Sequence, residues 1–250
     1  MVSMPEFSVL QWCLMIIAAA GIGISKSGLS GISMVHVLVF AAVFGARDST
    51  GVVLPMLIFG DICAIRAYGQ HANWNQVWRM MPPAIIGVIA AWLWMQSLDE
   101  KIYKPLIGSI ILGLTILQIV RLWRSDFQSR IPHAVWFAWM MGLTVGMTTM
   151  LANAAGPVFG LYLLALMIPK LEFVGTSAWF FLMLNTFKVP FSWQLGLIDL
   201  ESLQLNAVLC PFIIGGLFFG KAIVKRLPQK TFDSLILAFT AIAAMRLLFG

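Results

Sequence analysis

The sequence predicts an all-α, polytopic integral membrane protein, with 8–10 transmembrane helices in two related halves and some segments broken or re-entrant. Three observations predict it: the composition, the long apolar blocks and an internal repeat. Of 250 residues, 60% are hydrophobic and 10% are charged, against about 25% charged in an ordinary soluble domain. So few charges cannot cover the surface of a water-soluble globule of this length. A spanning helix needs about 20 apolar residues, so ten spans use about 200 and leave about 50 for loops and ends. The strands of a membrane β-barrel alternate polar and apolar residues, whereas Ala84 to Trp94 and Leu106 to Val120 are nearly continuous apolar blocks.

Charges, prolines and turn residues cut the chain into ten apolar segments: 8–25, 28–45, 50–68, 80–97, 102–120, 133–150, 153–168, 173–191, 204–222 and 231–249. The first is expected to be a retained span, because Met1 to Phe7 carries Glu6 and no Lys or Arg, unlike the basic start of a cleaved signal peptide. The second follows a run of Gly and Ser. The third opens at Ser49-Thr50-Gly51 and carries Asp61 and Arg66. The seventh is short and contains Gly156-Pro157. Short or Gly/Pro-interrupted segments form half-helices or re-entrant pieces. The eighth opens at Gly175-Thr176-Ser177 and carries Lys188.

The halves, 1–125 and 126–250, resemble each other. Gly21 and Gly31 match Gly146 and Gly156; Gly51 to Asp61 aligns with Gly175 to Asn185 without a gap; Leu98, Lys101, Tyr103, Leu106 and Ile107 match Leu227, Lys230, Phe232, Leu235 and Ile236. Three matches in one order indicate a duplication of about 120 residues, an architecture common among secondary transporters. Five segments per half would make the halves inverted. With ten spans, the loops on one side hold ten Lys/Arg, including Arg121, Arg124, Arg130, Lys221, Lys225, Arg226 and Lys230, against three on the other. The basic side is then cytoplasmic and both termini are outside. With eight spans the bias falls to nine against four. The net charge of +6 therefore reads as orientation rather than nucleic-acid binding, and no nucleic-acid module is present.

Ionisable groups inside apolar segments are costly and mark function by default. Asp61 aligns with Asn185, and each is followed within a few residues by a cation, Arg66 and Lys188. Each half thus offers a polar acceptor and a nearby cation. The expectation is that Arg66 and Lys188 complement an anion, with Asp61 pairing Arg66 when the site is empty; snorkelling of both cations to the interface is the alternative. The stretches Gly21–Gly31, with Lys26 and Ser27, and Gly142–Pro157, with Asn153, suit broken helices whose freed N–H groups hold an anion, or else close helix packing. Thr176 and Ser177 read either as helix caps or as substrate hydroxyl contacts. Cys13, Cys63 and Cys210 are expected to be small buried hydrophobes, and His36, His71 and His133 lack metal-ligand spacing.

A glycine-rich segment opens each half, and Gly175-Thr176-Ser177 is followed about 20 residues on by Gly196-Leu197-Ile198-Asp199. With its degraded first-half counterpart, this pattern resembles the sulfite exporter TauE/SafE family of membrane transporters over nearly the whole chain. The resemblance implies a multi-pass protein of the plasma membrane that moves sulfite, sulfonates or related small anions, with no cofactor. Substrate contacts are expected from Lys26, Ser27, Asp61, Arg66, Asn153, Thr176, Ser177, Asn185 and Lys188. The expected partners are the small anion, the bilayer and a coupling proton or sodium ion. A membrane assembly factor is the second reading and would need a loop domain; a membrane-embedded enzyme is the third and would need paired bases or metal ligands.

Overall fold

The computed structural model describes residues 7–29, 32–45, 47–96 and 135–228, with isolated positions beyond. Eight α-helices lie among them: α1 (Val9–Lys26), α2 (Ser33–Phe44), α3 (Asp48–Tyr68), α4 (Trp74–Met95), α5 (Val135–Ala152), α6 (Ala155–Ala165), α7 (Lys170–Gln194) and α8 (Leu200–Arg226). They match the expected segments in order. The expected segments 102–120 and 231–249 lie largely or wholly outside the described residues. Five of the helices, α1, α3, α4, α5 and α8, are long and apolar enough to cross a membrane. The protein is an all-helical, polytopic membrane protein.

Local chemistry sets the boundaries. Ser8 accepts from the Gln11 amide and Gln11 reaches back to Ser8, a capping box that starts α1. Asp199 and Ser202 repeat the device at α8. Asn73 accepts from the Gln76 amide and starts α4 at Trp74, six residues before the expected segment. Asn75, Gln76 and Arg79 hid that first turn from a hydropathy reading.

Two helices are short. The twelve residues of α2 and the eleven of α6 span about 17–18 Å at 1.5 Å per residue, little more than half of a hydrocarbon core about 30 Å thick. α1 stops at Ser27 and Gly28, where φ reaches 117°. α5 stops at Asn153, which takes the left-handed φ of 52°. A proline inside a helix clashes with the carbonyl four residues back; α3, α4, α7 and α8 nevertheless run on through Pro55, Pro82, Pro83, Pro190 and Pro211, whereas α5 ends before Pro157. The break places Pro157 in the first turn of α6, where its missing N–H is harmless.

α1 packs along α8, and α4 along α5, while α3 and α7 cross at the centre. Both outer pairs approach at glycine. A Cβ on Gly23 would overlap the Ile213 carbonyl, and one on Gly216 the Ala20 carbonyl. A Cβ on Gly146 would overlap the Ala84 carbonyl, and one on Gly87 the Leu143 carbonyl. Small residues let membrane helices close to backbone contact without a hydrophobic driving force. Gly146 therefore serves helix packing, whereas the helices break after Lys26 and after Ala152. Phe7, just before α1, meets Phe44 at the end of α2, ring centroids 5.6 Å apart. α2 therefore folds back along α1 rather than continuing it.

Candidate functional site

The two helix breaks open onto one cavity in the middle of the bundle. From the first come Ser25, Lys26 and Gly28, with Ser33 and His36 from α2. From the second come Thr149, Asn153, Ala155 and Gly156. α3 contributes Asp61, and α7 contributes Asn185 and Ser177. The remaining wall is apolar, built on Leu57, Phe173, Val174 and Phe181. Ala155 and Gly156 form the first turn of α6, whose N–H groups have no partner within the helix.

Lys26 is the hub. Its Nζ donates to Asp61 Oδ1 at 2.6 Å and lies 5.3 Å from the centre of the Phe181 ring. Asp61 is fully buried, and its other oxygen, Oδ2, accepts from Asn185 Nδ2 at 2.9 Å. A lone buried charge would be costly, so this carboxylate is held by one cation and one amide. The pairing expected with Arg66 does not form. Residues five apart on a helix point about 140° from each other at 3.6 residues per turn. Asp61 faces inward and Arg66 is exposed on the outside of α3, away from the cavity. The cation that reaches Asp61 comes from 35 residues earlier, at the end of α1.

Lys188 is buried too, but differently employed. Its Nζ donates to Thr149 O at 2.8 Å, Thr149 Oγ1 at 3.1 Å and Asn153 Oδ1 at 2.7 Å. An ammonium has three N–H donors, and three oxygens of the second break take them. Asn153 Nδ2 then donates to Thr50 O on α3 at 2.9 Å. Lys188 thus ties α7 to the end of α5, and Asn153 ties that end to α3. The ammonium sits behind the cavity wall rather than in the cavity.

The other expected residues divide. Ser177 lines the cavity, while its hydroxyl donates to the Phe173 carbonyl at 2.8 Å. Thr176 lies outside it: its hydroxyl accepts from the Asn73 amide at 2.9 Å and braces the start of α4. Ser27 is buried against Gly220, and its hydroxyl donates to Ile24 O. The structure therefore brings Lys26, Asp61, Asn153, Ser177 and Asn185 to one cavity, with Lys188 bonded to its wall, and leaves Ser27, Arg66 and Thr176 outside. Ser25 and Thr149 belong to the two stretches expected to hold an anion, whereas sequence reasoning missed Ser33 and His36 as cavity residues. His36 carried a signal, as an ionisable side chain in an apolar segment.

A polytopic helical protein with helix breaks meeting at a central, lysine-bearing cavity has the build of a membrane transporter. The comparison with known families agrees: the sequence matches the sulfite exporter TauE/SafE model over residues 14–247. The chain belongs to that family of membrane transporters. No curated protein and no solved structure matches it.

Proposed function

We propose that the protein is a secondary transporter that moves a small anion, sulfite or an organic sulfonate, through this cavity by alternating access. The observation that carries the reading is Lys26. It ends α1 inside a cavity that also receives the first turn of α6, and among the described residues its ammonium has one hydrogen-bond acceptor, Asp61. An oxoanion leaving water must recover its hydration, and charged donors do this best. In their charged forms Lys26 and Asp61 cancel, and Lys188 leaves the neighbourhood one charge positive. The anion competes with Asp61 for Lys26, while Asn185 keeps hold of the carboxylate. The apolar wall at Phe173 and Phe181 accommodates the carbon body of a sulfonate.

The packing interlocks the two halves of the repeat, which the odd number of segments per half makes inverted. Residues 20 and 24 of α1 lie beside 216 and 220 of α8, and residues 84 and 80 of α4 beside 146 and 142 of α5. Each break thus sits beside a parallel helix from the other half. The loop charges favour both termini outside, and the family resemblance implies the plasma membrane. A coupling proton would reside on Asp61, and a sodium ion at carbonyls freed by the breaks. Flux in proteoliposomes, measured for sulfite, thiosulfate, sulfoacetate, taurine and simple carboxylates, tests the reading. Saturable flux of a sulfur oxoanion is expected, and Lys26→Gln should abolish it at equal protein abundance. Unchanged flux in that variant would overturn the site. Cysteine labelling at the C-terminus tests the orientation, which a cytoplasmic C-terminus would reject.

A further inference from the structure

We infer that His36 and Ser33, on one face of α2, contact the transported ligand and select anions that also carry a hydrogen-bond donor. The inference rests on the anion-site reading above. His36 is 1% exposed, and neither ring nitrogen has a hydrogen-bond partner among the described residues. Ser33, one turn earlier on the same face, is buried with an equally unpartnered hydroxyl. Both residues line the cavity beside Lys26. Asn185 adds a fourth unpartnered atom, Oδ1, since its Nδ2 is spent on Asp61.

Buried polar groups without partners lower stability, and folded proteins keep few of them. Helical hydroxyls nearby show the usual solution: Ser25, Thr148 and Ser177 each donate to a carbonyl of their own helix. Ser33 and His36 do not. Tyr68, Trp92 and Asn206 also hold unpartnered atoms, but none of them lines the cavity. The cavity is where such atoms gather around a cation.

Their chemistry defines the ligand. Lys26, the Ser33 hydroxyl and the first turn of α6 offer donors, which suit the oxygens of an anion. Asn185 Oδ1 can only accept, and an uncharged imidazole presents one N–H and one lone pair. A bare oxoanion leaves those two acceptors unmet. An anion bearing an O–H or N–H group meets them.

Two sulfonates differing by one hydroxyl, 2-hydroxyethanesulfonate and ethanesulfonate, test this on the purified full chain, with sulfite as a third probe. Affinity is read from ligand-induced shifts in thermal unfolding. The hydroxylated sulfonate should bind about tenfold more tightly to the native protein, equivalent to about 1.4 kcal/mol. In His36→Leu the preference should fall below about twofold, with ligand-free stability no lower than native, because two unpartnered nitrogens are gone. His36→Gln, which restores a donor and an acceptor, should recover part of the preference. Equal affinities in the native protein, or a preference that survives both substitutions, overturns the inference and leaves the anion site standing. Binding of sulfite alone does the same. Failure of all three probes overturns the anion site and the inference with it.

Discussion

Two lysines, Lys188 buried and Lys26 partly buried, face the same region of this protein and do different work. Lys188 spends its three donors on Thr149 and Asn153; Lys26 spends one on Asp61 and meets the cavity with the rest. The first is a fastening and the second is available to a ligand. Both are largely shielded from solvent, Lys188 more than Lys26, so burial alone does not explain their different work. The acceptor count does. An ammonium with every proton assigned has none left for substrate, whereas one facing a single carboxylate can exchange that partner for another anion.

The largest expected effect comes from breaking the fastening. Lys188→Met removes the donors to Thr149 and Asn153 and leaves buried oxygens unmet, at about 1–3 kcal/mol each. Thermal unfolding of the purified protein should show the loss, together with reduced membrane abundance. A Lys188→Met protein of native stability would end the distinction between the two lysines.

Lys26 sharpens the comparison through a double substitution. Lys26→Gln alone strands the Asp61 carboxylate with only Asn185, and removing one partner of a buried pair costs about 3–5 kcal/mol before any relief by protonation. Adding Asp61→Asn should restore most of that stability without restoring anion flux. Flux recovered together with stability would make the ion pair purely structural.

Asn153 gives a smaller effect. Asn153→Gly keeps the left-handed backbone that glycine adopts freely but loses the bonds to Thr50 O and from Lys188. A loss of about 1–2 kcal/mol is expected in the same unfolding measurement. Recovery of native stability would show that backbone conformation alone matters at this break. The smallest effect belongs to Arg66→Ala, within about 0.5 kcal/mol of native and with native flux, since Arg66 is exposed on the outside of α3. Flux lost in Arg66→Ala would return the site to the arrangement expected from the sequence.

Much of the fold could be read before any coordinates. A chain with 10% charge in apolar blocks has no soluble option, and Gly156-Pro157 marks a place where a helix break fits. Asp61, Asn185 and Lys188 announced themselves as polar groups where polarity is costly. His36 could have been read in the same way, but it had no partner at a recognisable spacing to support it. Thr149 was legible only as one hydroxyl of a glycine-rich run, and its bond to Lys188 depends on another helix.

The sequence by itself determined that this is a helical membrane protein and that its interior holds a carboxylate and at least one lysine. Those facts follow from local composition, which fixes what each segment can bury. Tertiary structure alone decided which cation meets Asp61. Helix pitch turns Arg66 outward about 140° from Asp61 at 3.6 residues per turn, and the return of α2 along α1 brings Lys26 in from 35 residues away. It also decided that Lys188 holds a helix break while Lys26 faces the cavity, because that depends on how many oxygens surround each ammonium, and those oxygens come from other helices.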